Sequence, residues 1–73
     1  MELEFGRFRI KYEPDEEYPI SLYDEYDECI DFWDDPETAR MDIDYSPAGE
    51  EVTVSEWHLL WDWIEKLIII MSK

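Results

Sequence analysis

Carboxylates are by far the most numerous reactive side chains in this 73-residue sequence. Twenty-one Asp and Glu residues stand against six Lys and Arg residues, which gives a net charge of −15 at pH 7. The excess is confined to residues 13–56, where 17 acidic residues accompany one basic residue, Arg40. Such a charge excludes direct binding to nucleic acid or to an anionic membrane, because both need a cationic protein surface. It favours a protein partner whose own surface is basic.

Cys29 and His58 are the other side chains that can act as a nucleophile or as a general base. They do not form a recognisable nucleophile–base pair. Neither is followed or preceded by an orienting residue or an oxyanion motif. The acidic neighbours of Cys29 also offer no positive charge to stabilise a thiolate. We therefore expect Cys29 to be a small core residue and His58 to lie on a helix surface near Asp62. We predict that the protein is not an enzyme.

Metal binding is not indicated either. Positions 31–37 hold four carboxylates, but a calcium loop places its ligands at alternating positions around a glycine. The two glycines of the chain, Gly6 and Gly49, lie elsewhere. One Cys and one His cannot complete a tetrahedral zinc site. We predict no metal and no cofactor.

The acidic stretch 21–35 has the periodicity of an amphipathic helix. Its apolar and its acidic positions both recur at spacings of three and four residues, as on a helix with one buried face. Two features oppose a helix. Asp is a poor former of helix interiors, and Asp34 and Asp35 would lie at the unfavourable carboxyl end. We predict a helix over 21–35, with a strand through Cys29–Trp33 as the alternative.

Alternating apolar and charged residues predict three strands. They lie at 7–13, at 40–45 and, after a turn at 46–49, at 52–54. The apolar residues before Gly6 are out of phase with those after it. A bulge or a sharp bend at Gly6 would bring both sets onto one face of a sheet.

Residues 56–71 predict a closing helix that is apolar over most of its circumference, with Ser55 as its N-cap. A helix of this kind must be buried on more than one side. We expect one side to face the sheet through Trp57, Trp61, Ile64 and Ile68. The first helix, or a second copy of the chain in a homodimer, could cover another side, around Leu59, Trp63 and Ile70.

Together these patterns predict a single domain, residues 1–73, of the α+β class. The predicted order is βαββα, with a small antiparallel sheet of about three strands packed by the C-terminal helix. The amino terminus lacks the cationic and then apolar segments of a signal peptide. The longest apolar run is far shorter than the roughly 20 residues of a membrane span. We therefore expect a cytoplasmic protein.

Ten acidic residues form the predicted binding surface. On a helix, acids one turn apart project from one face at intervals of roughly 5 Å, which is comparable to the spacing of successive phosphates. Solubility needs far less charge than this, and self-repulsion weakens the compact state. A binding surface is therefore favoured over a merely solvated one. Its predicted members are Asp24, Glu25, Asp27, Glu28, Asp31, Asp34, Asp35, Glu37, Asp42 and Asp44.

In size, aromatic content and its acidic block from Glu13 to Glu56, the chain resembles the small acidic phage proteins that mimic DNA. These are the anti-restriction and anti-CRISPR inhibitors. The resemblance implies stoichiometric inhibition in the host cytoplasm, with the acidic face occupying a basic nucleic-acid channel of a host defence protein. An immunity protein or antitoxin that caps a basic nuclease toxin would carry the same charge. An acidic subunit that docks into a larger assembly is a third alternative.

Overall fold

Four consecutive strands form one antiparallel sheet in the computed structural model, which describes residues 1–72. They are β1 (Glu2–Phe5), β2 (Phe8–Tyr12), β3 (Ile20–Tyr23) and β4 (Cys29–Trp33). Each strand pairs with the next one along the chain, so every connection within the sheet is a hairpin. The outer strands, β1 and β4, form the two edges of the sheet.

The helices follow the sheet in sequence and cover one of its faces. They are α1 (Pro36–Asp42), a single 3-10 turn (Ile43–Tyr45), α2 (Pro47–Glu51) and α3 (Val54–Met71). Helix α3 contacts β1 and α1, and α1 also contacts β4. The α+β class and the C-terminal helix are confirmed. The predicted order βαββα and the count of about three strands are wrong, because four strands precede all the helices.

The bend predicted at Gly6 is confirmed, and it is the tight turn of the β1–β2 hairpin. Gly6 has a φ of 61°, in the left-handed region that glycine adopts without steric cost. A Cβ atom at this position would also lie 2.8 Å from Glu56 Oε2. The reversal places Leu3 opposite Ile10 and Phe5 opposite Phe8. Apolar side chains from both strands therefore share the face that packs on the helices.

The helix predicted over 21–35 is wrong, because this stretch contains β3, a tight loop and β4. Asp24 builds the loop: its Oδ1 accepts the backbone N–H groups of Tyr26 at 2.9 Å and of Glu28 at 3.0 Å. Asp27 adopts a φ of 64°, which Asp tolerates better than most residues. The Asp-rich composition that opposed a helix is therefore what makes the turn. The alternative strand through Cys29–Trp33 is confirmed.

The strands predicted at 40–45 and 52–54 are also wrong: residues 40–45 are helical, and Val52 and Thr53 link α2 to α3. Asp35 is the N-cap of α1, and its side chain accepts the backbone N–H of Thr38 at 3.2 Å. Ala39 and Ile43, four residues apart, are both fully buried. This helical spacing of buried residues outweighs the local alternation of apolar and charged side chains.

Helix α3 begins earlier than predicted. Thr53 is its N-cap in a capping box: Thr53 Oγ1 accepts the Glu56 backbone N–H at 3.2 Å, and Glu56 Oε1 accepts the Thr53 N–H at 2.9 Å. Ser55, the predicted N-cap, lies within the first turn of the helix. The reciprocal bonds satisfy two backbone donors that a helix start leaves without partners.

The buried stripe of α3 differs from the predicted one. It consists of Leu60, Trp63, Ile64 and Leu67, at helical spacings of three and four. Trp57 and Trp61 lie to one side of it, half-buried, with their ring centroids 5.7 Å apart. The Arg40 guanidinium from α1 covers Trp61 at 4.0 Å from the ring centroid. Helix α3 packs against α1 as well as against the sheet, and its buried stripe is not the one expected from a sheet alone.

The capping box gives a test of where α3 begins. We expect Thr53→Ala to destabilise the protein by about 1 kcal/mol, because it removes an N-cap acceptor. For a domain of this size that corresponds to a fall in Tm of roughly 4–8 °C. Ser55→Ala is the matched control and should change stability by less than about 0.5 kcal/mol. Thermal unfolding of both variants measures the difference, and an equal loss in the two would contradict the assigned cap.

Candidate functional site

The meander gives the sheet two ends of different character. Strands β2 and β4 both run toward the end that carries the β2–β3 connection, residues 13–19, and the segment 34–37. The Gly6–Arg7 turn and the loop 24–28 lie at the opposite end, which we call the arginine end. The end that carries residues 13–19 and 34–37 we call the acidic end. Its carboxylates are Glu13, Asp15, Glu16, Glu17, Asp34, Asp35 and Glu37.

Part of the charge at the arginine end is compensated within the molecule. Arg7 Nε donates to Glu51 Oε1 at 3.0 Å and Oε2 at 3.1 Å, and Arg7 Nη1 lies 3.8 Å from Glu25 Oε1. Arg9 forms a second ion pair, with Asp27. Three carboxylates at this end, Glu25, Asp27 and Glu51, therefore have cations of their own chain as partners.

The acidic end has no such compensation. Within residues 1–72, none of its seven carboxylates takes part in an ion pair. Lys11 is the basic residue nearest to it in sequence, but its Nζ lies over the Tyr23 ring, 4.9 Å from the centroid. Asp35 serves as the α1 N-cap, and the other six side chains form no hydrogen bond within the described chain. All seven residues are exposed.

The ten acids of the predicted binding surface do not form one row, because the helix that would align them is absent. The arginine end holds Asp24, Glu25, Asp27 and Glu28, and the acidic end holds Asp34, Asp35 and Glu37. Asp31 lies in β4, and the helical layer contains Asp42 and Asp44. Some of them have structural partners. Asp42 Oδ2 accepts the Trp33 indole N–H at 3.0 Å, and Asp31 Oδ1 accepts the Phe32 backbone N–H at 2.9 Å.

Four carboxylates of the acidic end are missing from the predicted surface. They are Glu13, Asp15, Glu16 and Glu17, and they lie in the β2–β3 connection. The sequence signal that identifies them is the high density of carboxylates, because Pro14 is the one non-acidic residue between positions 13 and 17. Only the pairing of β4 with β3 brings the segment after β4 to the same end of the sheet.

An aromatic groove runs along the solvent face of β3 and β4, next to the acidic end. Its floor contains Tyr18, Tyr23 and Phe32, and the Tyr18 and Phe32 rings lie 4.7 Å apart between centroids at an angle of 54°. The groove is open to solvent and has a volume of about 370 Å³. It is also lined by Glu13, Glu16, Glu17, Ser21 and Cys29.

Cys29 is exposed in this groove, so its predicted place in the core is wrong. It begins edge strand β4, and its Sγ donates to the Asp31 carbonyl oxygen at 3.4 Å. His58 is exposed on α3, in the helical layer. Within residues 1–72, no group of three or more His, Cys, Asp and Glu side chains is placed to hold a metal ion.

The predicted self-association surface loses its central residue. Trp63 is only 7% exposed and belongs to the core, whereas Leu59 and Ile70 are 54% and 45% exposed. The wrong orientation expected for α3 accounts for the difference. Formation of a homodimer stays a prediction. Among the described residues, no helix combines the length and the apolar character needed to cross a membrane.

Comparisons with models of protein families, with curated proteins and with solved structures found no match to this chain.

The Arg7–Glu51 pair gives a pH-dependent test of the arginine end. Its hydrogen bonds lower the pKa of Glu51 below the ordinary value of 4.5 and raise the pKa of Arg7. A lowered pKa in the folded state contributes stability that is present above pH 4.5 and is lost as pH falls through the lowered value. We therefore expect Glu51→Gln to have a lower Tm than wild type at about pH 7, with the difference shrinking toward about pH 3.

Glu50→Gln is the matched control, because Glu50 is exposed and forms no ion pair within residues 1–72. It changes the charge equally without removing the Arg7 contact. Its Tm should not fall below that of wild type at neutral pH, since it relieves self-repulsion. Thermal melts of the three proteins across the pH range decide the matter, and a pH-independent deficit in Glu51→Gln would count against the ion pair.

Proposed function

We propose that this protein is a stoichiometric inhibitor that occupies the basic nucleic-acid-binding site of another protein, as a mimic of nucleic acid. One observation carries the proposal: the carboxylates of the acidic end have no ion-pair partner in the described chain. Arg7 and Arg9 form their ion pairs at the opposite end of the sheet, and Lys11 lies over the Tyr23 ring. The charge of the acidic end is therefore available to a partner.

The binding mechanism follows from this unpaired charge. A nucleic-acid-binding site presents Lys and Arg side chains that replace the counterions condensed on a phosphate backbone. Carboxylates on a protein surface compete for the same side chains and release the anions bound to them. Neither partner undergoes a chemical step, so inhibition lasts for as long as the complex does. Charge complementarity of this kind accelerates association and makes the affinity sensitive to salt.

The acidic end is also held in place by the fold. The connection between β2 and β3 is closed by a hydrogen bond from the Glu13 N–H to the Pro19 carbonyl oxygen at 2.7 Å. The segment after β4 is fixed by the α1 cap, in which Asp35 accepts from both the N–H and the hydroxyl of Thr38. Carboxylates fixed in this way lose less conformational entropy on binding than those of a disordered acidic tail.

The proposal predicts that removing charge at the acidic end weakens target binding, whereas removing equal charge elsewhere does not. The test variant is Glu16→Gln, Glu17→Gln, Asp34→Asn and Glu37→Gln combined. The control variant has the same charge change at exposed carboxylates outside the acidic end: Glu28→Gln, Asp44→Asn, Glu50→Gln and Asp62→Asn. None of these eight side chains has a hydrogen-bond or ion-pair partner within residues 1–72.

The measurement is affinity capture with tagged wild type, followed by elution with a short DNA duplex and, separately, with salt. We expect a basic nucleic-acid-binding protein to be released by excess duplex and by salt approaching about 1 M, where the screening length is roughly 3 Å. The acidic-end variant should bind that protein on the order of tenfold more weakly, and the control variant much less so. A captured protein that resists both eluents, or equal losses in both variants, would refute the mimic. Identification of a nuclease toxin as the target would point to an immunity protein instead of an inhibitor.

A further inference from the structure

We infer that the aromatic groove beside the acidic end is a pocket for an arginine side chain of the protein partner. The inference rests on the proposed function for the nature of that partner. In this inference the groove selects arginine over other residues of the partner, whereas the acidic end alone would attract any cation. The floor is aromatic, three of its lining residues are carboxylates, and none is a cation.

The rings of the groove are suited to a cation. Phe32 is 52% exposed and Tyr18 is 45% exposed, although their ring centroids lie only 4.7 Å apart. The face of an aromatic ring carries negative electrostatic potential and attracts Lys and, more often, Arg. No cation of the described chain covers either ring.

Within residues 1–72 the chain makes this kind of contact three times. Its cation–ring pairs join Arg7 to Phe8 at 4.5 Å, Lys11 to Tyr23 at 4.9 Å and Arg40 to Trp61 at 4.0 Å. The Lys11 pair lies on the solvent face of the sheet, on a ring that also lines the groove. Of the three rings that line the groove, Tyr23 is therefore already covered by a cation of its own chain, and Tyr18 and Phe32 are not.

The carboxylates decide between a cationic occupant and an apolar one. An apolar segment seated on the rings would remove water from Glu13, Glu16 and Glu17 without providing hydrogen-bond donors, which is unfavourable. A guanidinium provides five donors, is weakly hydrated and stacks on rings, whereas an ammonium is compact and strongly hydrated. The combination of rings and carboxylates therefore favours arginine over lysine.

A partner strand added to β4 is disfavoured as the occupant. The Phe32 backbone N–H is already bound to Asp31 Oδ1 at 2.9 Å, and the register of β3 and β4 shifts between Leu22 and Tyr23. Both features reduce the regular edge that strand addition requires. A second copy of this chain is disfavoured by the net charge of −15 on each molecule.

The test uses a capped tetra-arginine peptide as the probe, with a capped tetra-lysine peptide of equal charge for comparison. Binding is followed through the backbone amide chemical shifts of the full chain at about 0.15 M salt, where the screening length is about 8 Å. We expect tetra-arginine to bind more tightly than tetra-lysine and to shift the amides of Tyr18, Ser21, Tyr23 and Phe32 most.

Phe32→Ala should weaken tetra-arginine binding about two- to fivefold, which is the size of one exposed cation–ring contact. Tyr26→Ala is the matched control, because Tyr26 is 79% exposed in the loop 24–28 and does not line the groove. Its affinity for tetra-arginine should equal that of wild type. Tyr18→Ala repeats the test should Phe32→Ala not retain the native spectrum.

Equal affinities of Phe32→Ala and Tyr26→Ala, or equal binding of the two peptides, would overturn the arginine pocket and leave the proposed function standing. An uncharged valine–serine peptide that shifts the same amides as strongly would also overturn it, in favour of an apolar segment. A third outcome is that the groove binds arginine but the captured target is not released by competing DNA. That outcome would refute the nucleic-acid mimic and leave the arginine pocket standing.

Discussion

The contact between the apolar face of the sheet and the buried stripe of α3 holds this molecule together against its own charge. With a net charge of −15 on 73 residues, the compact state is opposed by repulsion among its carboxylates. Phe5, Ile10 and Leu22 from the sheet and Leu60 and Leu67 from α3 are almost completely buried in one core. Because the helices cover one face only, the other face and both ends of the sheet are left for the charged residues.

The acids of this chain have two different physical roles. Some stabilise the fold: Asp24 builds a loop, Asp35 and Glu56 cap helices, and Glu51 pairs with Arg7. A second group projects from the acidic end, where none of the seven carboxylates has an ion-pair partner within residues 1–72. A total charge count does not distinguish the two roles, whereas the hydrogen bonds and ion pairs do. The proposed binding function concerns the second group, next to a groove whose rings add shape and chemical selectivity to charge.

Local sequence patterns determine some features of this molecule, and tertiary contacts determine others. The sequence determined the α+β class, the strand in residues 7–13, the bend at Gly6, the C-terminal helix and the strongly acidic middle. These features depend on local periodicity, on the φ of a single glycine or on composition, which need no knowledge of distant residues. The same information favoured a helix over 21–35, which is wrong, because the apolar residues of this stretch suit either period until a partner strand is present.

Only the tertiary structure decided which side of α3 is buried and which acids lie together. Helix α3 contacts α1, Arg40 of α1 lies over Trp61, and Trp63 is in the core. Pairing of β4 with β3 brought the segment 34–37 to the same end as residues 13–19, although 14 residues separate the two segments. Cys29 became exposed because it begins an edge strand on the solvent face. Each of these outcomes depends on contacts between residues far apart in sequence, to which local periodicity is insensitive.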